Sequence, residues 1–438
     1  MTRRDLLAAS AALALPRALH AQSAVFDADV VIVGAGAAGL AAARECERLK
    51  LAFVVIEARQ RSGGRVFTDV SLGEPFDAGA AYIHWAETNP WSDAARDLGI
   101  AAVPDKSQQG GFQLYENGLR MERPPRRGEA YQKLSDLLDI DADREPDVSV
   151  ADLVAPEGDE VVRAAGAMCR MSLGEDPQRV SAKDYARLTG GEDLLLPGGY
   201  GTLVARYGAG LPVRTGVRAQ RIDTSGPGVE VETSHGTLRA RAAVVTVSAG
   251  VLAAGGIAFS PALPVATQEG IAGLGMGVLT KIALRFGPDH FEIADGADLF
   301  DIGGPGEMVD FECWGFARDL VVAHVGGDHA RRVLAQGRDG AVAEMLERFV
   351  AIAGRAAKKS FAGGTLADWL HDPFALGSYS HCLPGQADAR PKLAEPVAEK
   401  LWFAGEATGG PGHAGAMTAG GAFLAGRDAV RAFAKGLP

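Results

Sequence analysis

The chain has 438 residues, with 47% hydrophobic and 23% charged residues, which suits two cores or one large α/β body of a globular protein. Its net charge of −11 argues against a nucleic-acid-binding protein, because neutralising phosphates requires a basic face. The four cysteines lack CxxC spacing and the nine histidines lack metal-ligand spacing, so we expect no bound metal.

The first 21 residues have the layout of a cleavable signal peptide. Arg3 and Arg4 precede a short apolar run, and small residues end the segment near Ala21. The run is too short to span a bilayer, and the paired arginines are typical of the twin-arginine export route. We therefore expect a periplasmic or secreted protein without a membrane anchor. The alternative is an ordinary basic start of a cytoplasmic protein.

A second stretch, residues 242–259, carries no charge and has to be distinguished from a membrane span. It begins with β-branched residues and continues with three glycines. This pattern predicts a buried strand followed by a turn-rich loop that ends at Ser260 and Pro261.

A strand, a glycine-rich turn, a helix and a second strand follow the signal segment. Residues 29–33 predict a buried parallel strand, residues 40–49 a helix, and residues 53–56 a strand ending at Glu57. The turn Gly34-Ala35-Gly36-Ala37-Ala38-Gly39 has the dinucleotide spacing GxGxxG, and Glu57 lies at the distance of the ribose-binding acid. The three glycines serve the tight turn, the approach to the pyrophosphate and helix packing, while the phosphates meet the helix N-terminus. A glycine-rich turn without a ligand is the alternative.

The residues after Glu57 favour a flavin over a nicotinamide. Ala58-Arg59 leads to a second glycine pair, Gly63-Gly64, which is followed by Arg65. The pair permits another close approach to a phosphate, and the arginine supplies a cation for it. A simple nicotinamide-binding domain would usually continue into a helix at this point.

Blocks along almost the whole chain resemble the flavin-dependent amine oxidases, which include monoamine oxidases, polyamine oxidases and the flavin histone demethylases. They occur in family order from about residue 28 to residue 430. The blocks are Glu57-Ala58-Arg59 with Gly63-Gly64-Arg65, residues 76–84, residues 196–200, residues 243–247, residues 281–286, Asp372-Pro373 with residues 377–380, and residues 402–408.

The resemblance implies an α/β fold in which an FAD-binding Rossmann-like domain of the GR2 type is interleaved with an α+β substrate-binding domain. The charged, helix-like composition of residues 112–190 and a closing helix over residues 422–433 agree with it. A helix start near residues 415–420 would direct its positive end at the flavin ring. The expected boundaries are 25–95, 190–260 and 390–438 for the FAD-binding domain, and 96–189 and 261–389 for the substrate-binding domain.

The resemblance also implies which residues contact the FAD. Ser378 occupies the position at which monoamine oxidases carry the cysteine that bonds the flavin, so we expect non-covalent FAD. Glu406 is expected beside the ribityl or pyrophosphate part of FAD, with capping of the last helix as the alternative. The expected cofactor-binding residues are Gly34, Gly36, Ala38, Gly39, Glu57, Ala58, Arg59, Gly63, Gly64, Arg65, Gly79, Ala80, Ala81, Tyr82, Val217, Gly405, Glu406, Ala416 and Met417.

Lys281 and Tyr379 are the expected catalytic residues. Lys281 is a lone cation in an alternating apolar run, where it is costly unless it is paired or hydrated. In the family the matching lysine holds a water near flavin N5; the alternative is a lysine on the open face of an edge strand. Tyr379 would form one aromatic wall of a slot that aligns the amine. The second wall falls near Thr418, which is not aromatic, so Trp369 or Phe374 would replace it.

Two further residues are expected to contact the substrate. His84 matches the histidine that some polyamine oxidases hold at the substrate entrance, and the alternative is a histidine that satisfies a loop carbonyl. Tyr82 lies where L-amino-acid oxidases usually place the arginine that binds the carboxylate, which argues against amino-acid substrates.

We therefore expect an FAD-dependent amine oxidase or dehydrogenase that converts a primary or secondary amine, either a polyamine or a monoamine, to an imine that water hydrolyses. The electron acceptor would be O2 or a periplasmic electron carrier, and a homodimer is one possible assembly. The first alternative is an L-amino-acid oxidase or another FAD-dependent oxidoreductase of the wider group. The second is a flavin-binding protein without catalytic activity.

Overall fold

The structure is a computed structural model that describes residues 26–105, 113–121, 127–141, 145–188, 190–409 and 415–437. The expected signal peptide, residues 1–21, lies outside the described residues. Within the described part, no helix is both long enough and apolar enough to span a bilayer.

The strands are numbered in chain order. They are β1 Ala28–Val33, β2 Phe53–Glu57, β3 Thr68–Asp69, β4 Phe76–Asp77, β5 Tyr82–Ile83, β6 Val103–Pro104, β7 Gln113–Glu116, β8 Leu119–Arg120, β9 Leu194–Leu195, β10 Val213–Thr215, β11 Ala219–Asp223, β12 Val229–Thr233, β13 Gly236–Val245, β14 Ala258–Ser260, β15 Leu274–Gly277, β16 Leu279–Arg285, β17 Ala297–Ile302, β18 Met308–Cys313, β19 Leu320–Gly326, β20 Gly363–Ala367, β21 Tyr379–Cys382 and β22 Leu401–Phe403.

The helices are numbered in the same way. They are α1 Ala37–Leu49, α2 Pro90–Asp97, α3 Arg127–Asp141, α4 Val150–Val154, α5 Asp159–Met168, α6 Ala182–Ala186, α7 Tyr200–Tyr207, α8 Ala249–Ala253, α9 Val265–Ala272, α10 Gly327–Leu334, α11 Gly337–Ala353, α12 Arg355–Ser360, α13 Ala389–Ala394 and α14 Ala419–Lys435.

The first sheet is built around five parallel strands in the order β10-β2-β1-β13-β22. The uninterrupted apolar runs of β1 and β2 fit this position, because a central parallel strand is buried on both faces. Helices α1 and α14 pack together on one face. The carboxyl ends of β1 and β2 therefore deliver the turn after Val33 and the carboxyl group of Glu57 to one edge of the sheet, where α/β proteins bind ligands.

The second sheet has seven strands in the order β20-β16-β19-β18-β17-β7-β8. Its residues alternate between two faces. Ile282 and Leu284 pack in a core with α10 and α11, whereas Lys281 points to the opposite face. Strand β16 pairs with β19 on one side and β20 on the other, so the alternative of an edge-strand lysine is wrong.

Two expected elements differ from the structure. The loop expected within 242–259 contains α8 and β14, because the Ser248 hydroxyl caps α8 by accepting a hydrogen bond from the Val251 amide. The helix-like stretch 112–190 begins with strands β7 and β8 before α3 to α6 form their own apolar core. The glycines of residues 242–259 and the charges of residues 112–190 dominated the sequence pattern, so the short helix, the strands and their boundaries were not predicted. The α/β class itself is as expected.

Candidate active site

A single continuous cavity of about 960 Å³ runs from the carboxyl ends of β1 and β2 to the second sheet. This volume lies near the upper end for small-molecule sites and leaves room for a large cofactor together with a substrate. Every residue expected to bind cofactor or substrate lines the cavity, with the exception of Gly39.

The nucleotide end of the cavity is formed by the turn before α1 and by Glu57. Gly34 has a φ of 109°, and an added Cβ would lie 2.5 Å from the Thr246 hydroxyl oxygen. The two carboxylate oxygens of Glu57 accept hydrogen bonds from the amides of Ala35 and Arg59, each over 2.8 Å. These bonds fix the acid at the edge of the cavity, where remaining lone pairs are able to accept ribose hydroxyls.

The two glycine-rich segments lie side by side. Gly36 forms an isolated parallel bridge with Gly63, and the Gly63 amide donates to the Ala35 carbonyl oxygen over 2.8 Å. Gly36 also precedes α1 and has no side chain to cap its first amides. The result is a backbone cradle at the positive end of a helix, which fits the diphosphate of a dinucleotide.

Gly39 has a packing position and does not line the cavity, and its expected contact with the cofactor stays a prediction. An added Cβ would lie 1.9 Å from the Gly34 carbonyl oxygen. The absence of a side chain lets α1 follow directly on the turn, which is the helix-packing part of the fingerprint.

A buried chain of polar side chains leads from the cavity into the protein. Arg65 Nη1 donates to Glu406 Oε1 over 2.9 Å, and Glu406 Oε2 accepts from the Ser380 hydroxyl over 2.7 Å. Arg390 Nη1 donates to the same hydroxyl oxygen over 2.8 Å. Arg390 is fully buried and paired with Asp184 over 2.9 Å. The cation of Arg65 is thus already matched by a carboxylate, and its expected role toward a phosphate stays a prediction.

Glu406 is held ionised by this chain. Burial alone would raise the pKa of Glu406, but Arg65 and Arg390 outweigh it, so the pKa is lowered. The alternative that Glu406 caps the last helix is wrong. Thr418 caps α14 instead, because its hydroxyl accepts a hydrogen bond from the Gly421 amide over 3.1 Å.

Lys281 lines the cavity. Its side chain is buried, and Nζ donates to the Asp77 carbonyl oxygen over 3.0 Å. Burial lowers the pKa of Lys281, while the charges of Asp77 and Glu312 act in the opposite direction. The amine has further protons with which to hold a water molecule or a ligand in the cavity.

Aromatic side chains line the same cavity as Lys281. Burial raises the pKa of the Tyr379 phenol, which therefore stays neutral. Trp369 lines the same cavity, and its indole nitrogen donates to the Ala78 carbonyl oxygen over 2.9 Å. Phe374 also lines it and lies beneath the guanidinium of Arg59 at 5.4 Å. Both residues suggested as a substitute second wall are therefore in the cavity.

Tyr82 and His84 both line the cavity. Their rings stack with centroids 5.6 Å apart. His84 Nδ1 lies 3.0 Å from Asp193 Oδ1, so the partner of the ring is a carboxylate and the loop-carbonyl alternative is wrong. Asn89 donates to the His84 carbonyl oxygen and keeps this segment in place.

Sequence reasoning missed several residues of the site. His324 and Asp310 line the cavity, and Glu312 lies 3.7 Å from the His324 ring. His324 lies in an apolar run, as Lys281 does, which was an available signal. Arg390 had no comparable signal, because its partner Asp184 is 206 positions earlier in the chain.

Outside the cavity, three acidic side chains lie close enough together to bind one metal ion. They are Glu175, Asp176 and Asp328. Arg331 Nη2 lies 2.6 Å from Glu175 Oε2, and Arg179 Nη2 contacts all three acids within 3.1 Å. The arginines already balance these charges, and the cluster is an ion-pair network.

The sequence matches two protein families over most of its length. Residues 132–433 match the family described as flavin containing amine oxidoreductase, and residues 32–98 match the NAD(P)-binding Rossmann-like domain. Polyamine oxidase 2 of Arabidopsis thaliana is 30% identical, with 86% of this chain and 83% of the relative covered. Probable polyamine oxidase 4 of the same plant is 30% identical over 91% of this chain and 86% of the relative.

Solved structures share the fold. Cyclohexylamine oxidase from Brevibacterium oxydans superposes with a TM-score of 0.79 at 24% identity, covering 93% of this chain and 99% of that protein. Wild-type putrescine oxidase bound to putrescine gives a TM-score of 0.78 at 18% identity, with the same coverage. These matches confirm the expected Rossmann-like fold class, and the family matches confirm the resemblance found in the sequence. The chain therefore belongs to the family of flavin-containing amine oxidoreductases.

Proposed function

We propose that this FAD-dependent amine oxidoreductase oxidises a primary or secondary amine, a polyamine-type substrate ahead of a monoamine, to an imine that water hydrolyses. The observation that carries the proposal is the continuity of one cavity from the glycine cradle to Lys281 and Tyr379. A cofactor held at its diphosphate by the cradle would have room along this cavity to reach the lysine and the aromatic side chains.

Non-covalent FAD fits the nucleotide end of the cavity. The backbone of Gly34, Gly36 and Gly63 would hold the diphosphate, and Glu57 would accept the ribose hydroxyls. When bound, FAD supplies the acceptor for a hydride from the carbon beside the amine nitrogen. The Ser378 hydroxyl exchanges hydrogen bonds of 2.8 and 2.9 Å with the backbone of Leu279, which gives this position a structural role without a bond to a flavin.

The protein's own residues position the amine and the water. Lys281, anchored on the Asp77 carbonyl oxygen, would hold a water molecule with its remaining protons. Tyr379 would align the substrate with Trp369 or Phe374 as the second wall, and Thr418 would line the gap left by the missing aromatic. The cationic Lys281 disfavours a second cation beside it, so the reacting amine binds in its neutral form.

The proposed domain division follows the two sheets. The first sheet takes its strands from residues 28–57, 213–260 and 401–403, all within the proposed FAD-binding segments. The second sheet takes its strands from residues 113–120, 279–326 and 363–367, all within the proposed substrate-binding segments. The cavity lies where the two meet.

Export, electron acceptor and assembly are also proposals. Arg3 and Arg4 support export by the twin-arginine route to the periplasm or beyond, and this route carries folded proteins with their cofactor already bound. The electron acceptor is then O2 or a periplasmic electron carrier. A homodimer is the proposed assembly. Comparing the N-terminal residue of the exported protein with that of the intracellular protein tests the proposed export and signal-peptide cleavage.

Anaerobic mixing with a panel of amines tests the proposed reaction. We expect putrescine, spermidine or tyramine to bleach the flavin absorbance and phenylalanine to leave it unchanged. Bleaching by phenylalanine alone would support an L-amino-acid oxidase, and no bleaching by any amine contradicts the proposal. Release of the flavin on acid precipitation tests its non-covalent binding.

A further inference from the structure

The segment between β20 and β21, residues 368–378, forms part of the cavity wall, and we call it the bridging loop. Its residues that line the cavity are Trp369, Pro373, Phe374, Leu376 and Ser378. Strand β20 precedes the loop and β21 follows it, and both strands lie in the proposed substrate-binding segments. The loop therefore brings residues of the substrate-binding segments to the cavity that contains the glycine cradle.

The bridging loop is attached to the FAD-binding segments at two points. Arg59 Nη2 lies 2.7 Å from Asp372 Oδ1, and the Ser248 hydroxyl donates to the Ala375 carbonyl oxygen over 2.6 Å. Arg59 follows β2 and Ser248 precedes α8, so the two attachments involve different elements of the FAD-binding segments. Both Arg59 and Ser248 line the cavity. The middle of the loop is thus fixed at the nucleotide end of the cavity.

The guanidinium of Arg59 is enclosed by two residues of the bridging loop. Its Cζ lies 5.4 Å from the centroid of the Phe374 ring, within the range of a cation–π contact. Asp372 Oδ1, which pairs with Arg59, also accepts a hydrogen bond from the Phe374 amide over 2.8 Å. The side chains of Arg59 and Asp372 are only 13% and 23% exposed, so salt screens this pair less than it screens a surface pair.

The backbone of Arg59 is fixed next to the acid of the nucleotide end. Its amide donates to Glu57 Oε1 over 2.8 Å, and its carbonyl oxygen accepts from the Gly216 amide over 2.9 Å. Because Asp372 already matches the charge of Arg59, the guanidinium is not an unpaired cation that requires a phosphate. Its contacts instead join the edge of the first sheet to the bridging loop.

An open side pocket of about 540 Å³ adjoins the main cavity at this contact. Ala58, Arg59, Pro373 and Phe374 line both the side pocket and the main cavity, whereas Asp372 lines the side pocket alone. The shared residues therefore separate the nucleotide end from a pocket that opens to solvent. Separating Asp372 from Arg59 would open a path between the two.

We propose that Asp372 and Phe374 are positioning residues, which hold Arg59 across the nucleotide end of the cavity and so retain bound FAD. The inference rests on the proposed function, because it takes FAD as the occupant of the glycine cradle. The nucleotide leaves through the side pocket after the ion pair of Arg59 breaks and the guanidinium moves away from the Phe374 ring. Loss of either contact lowers the barrier to release, and FAD then dissociates faster.

The rate at which FAD dissociates from the diluted holoenzyme, followed by flavin fluorescence, tests this role without a substrate. Asp372→Asn preserves the shape of the side chain and removes its charge, and it should speed dissociation by about tenfold. Phe374→Leu keeps an apolar side chain and removes the ring face, and it should speed dissociation by about threefold. The rate of FAD association should not fall in either variant, because the glycine cradle is unchanged.

Asp368→Asn is the matched control, since it removes the same charge from the same loop. The Asp368 carboxylate lies 2.8 Å from the ring of His371, a side chain 61% exposed, and it forms no ion pair with Arg59. Dissociation from this variant should stay within about twofold of the wild type. Arg59→Met combined with Asp372→Asn should release FAD no faster than Arg59→Met alone, because both changes break the same pair.

Wild-type dissociation from Asp372→Asn, or equal acceleration by Asp368→Asn, overturns the retention role. Slower FAD association in Asp372→Asn also overturns it, because the change would then have damaged the site as a whole. If Asp372→Asn does not fold, unchanged dissociation from Phe374→Leu and Arg59→Met overturns the proposal by itself. A wild type that binds no FAD contradicts the proposed function, whereas a wild type that binds FAD and differs from no variant contradicts the retention role alone.

Discussion

Lys281 Nζ donates a 3.0 Å hydrogen bond to the backbone carbonyl oxygen of Asp77, a residue 204 positions earlier in the chain. This bond joins β16 of the second sheet to β4, which follows the nucleotide-binding segments. The Asp77 carboxylate in turn accepts from the Thr68 hydroxyl and from the Tyr200 amide. The position of the lysine is therefore set by elements on both sides of the cavity.

Replacing Lys281 with methionine should lower kcat by about 100-fold, because the cavity loses its cation and its water-holding amine. Methionine is close to lysine in length and is tolerated in buried positions, so the protein should still fold and bind FAD. Steady-state kinetics with putrescine, together with the flavin absorbance spectrum, measure the two effects. Lys358→Met, at a side chain 58% exposed, is the control and should leave kcat unchanged. An unchanged kcat in Lys281→Met would show that the lysine has no part in the reaction.

Gly36→Ala and Gly39→Ala should have different effects. A Cβ on Gly36 meets no atom closer than Gly64 Cα at 3.9 Å, so the variant should fold, but its methyl group occupies the proposed path of the diphosphate. We expect FAD to bind at least about tenfold more weakly to this variant. A Cβ on Gly39 would lie 1.9 Å from a backbone oxygen, so Gly39→Ala should lose its fold.

Fluorescence titration with FAD and thermal unfolding of the flavin-free proteins separate these two roles. The Tm of Gly36→Ala should match that of the flavin-free wild type. If Gly36→Ala bound FAD with wild-type affinity, the proposal that the diphosphate lies at the first glycine turn would be wrong. If Gly39→Ala were as stable as the wild type, the inferred packing role of Gly39 would be wrong.

Local patterns in the sequence predict the nucleotide end of the cavity well. An apolar strand, spaced glycines and a terminal acid lie within about thirty residues, and local spacing fixes their geometry. Lys281 was also recognisable, because a lone cation in an apolar strand requires a special environment.

The substrate end depends on contacts that a single sequence does not encode locally. His324 and Asp310 come to lie beside Lys281 only through the register of the three paired strands β16, β19 and β18. The pairing of Arg390 with Asp184 links two helices in the same way. Such pairs follow from tertiary packing, and periodicity within one element does not reveal them.

Arg390→Met should destabilise the protein by about 3–5 kcal/mol, because Asp184 would remain buried without its counter-charge. FAD binding should weaken too, since Ser380 and Glu406 lose a partner next to the cavity. Denaturant unfolding gives the free energy, and flavin fluorescence gives the affinity. Arg239→Met removes an exposed ion pair with Glu230 and should leave the unfolding midpoint almost unchanged. Equal midpoints for the wild type and Arg390→Met would contradict the structural role of the buried pair.

Glu175 should make the folded state sensitive to acid. Burial opposes its charge, but hydrogen bonds from Arg331 and Arg179 outweigh burial and lower the pKa of Glu175 from 4.5 to about 2. A carboxyl group with a depressed pKa in the folded state stabilises the fold above the unfolded value, and this contribution is lost as the pH falls through the folded value. Between about pH 5 and pH 3 the wild type should lose about 2 kcal/mol that Glu175→Gln does not lose.

Denaturant unfolding of both proteins at the two pH values measures this difference. The Gln variant should be the less stable protein at neutral pH and should approach the wild type in acid. Parallel loss of stability in the two proteins would place the acid sensitivity in other groups.

The absorbance spectrum of the purified protein, followed by titration of the stripped protein with FAD, tests the central claim most directly. We predict a yellow protein with the spectrum of an oxidised flavin, which gives up intact FAD on acid precipitation and binds added FAD again. A correctly folded protein that is colourless and does not bind added FAD would contradict the account.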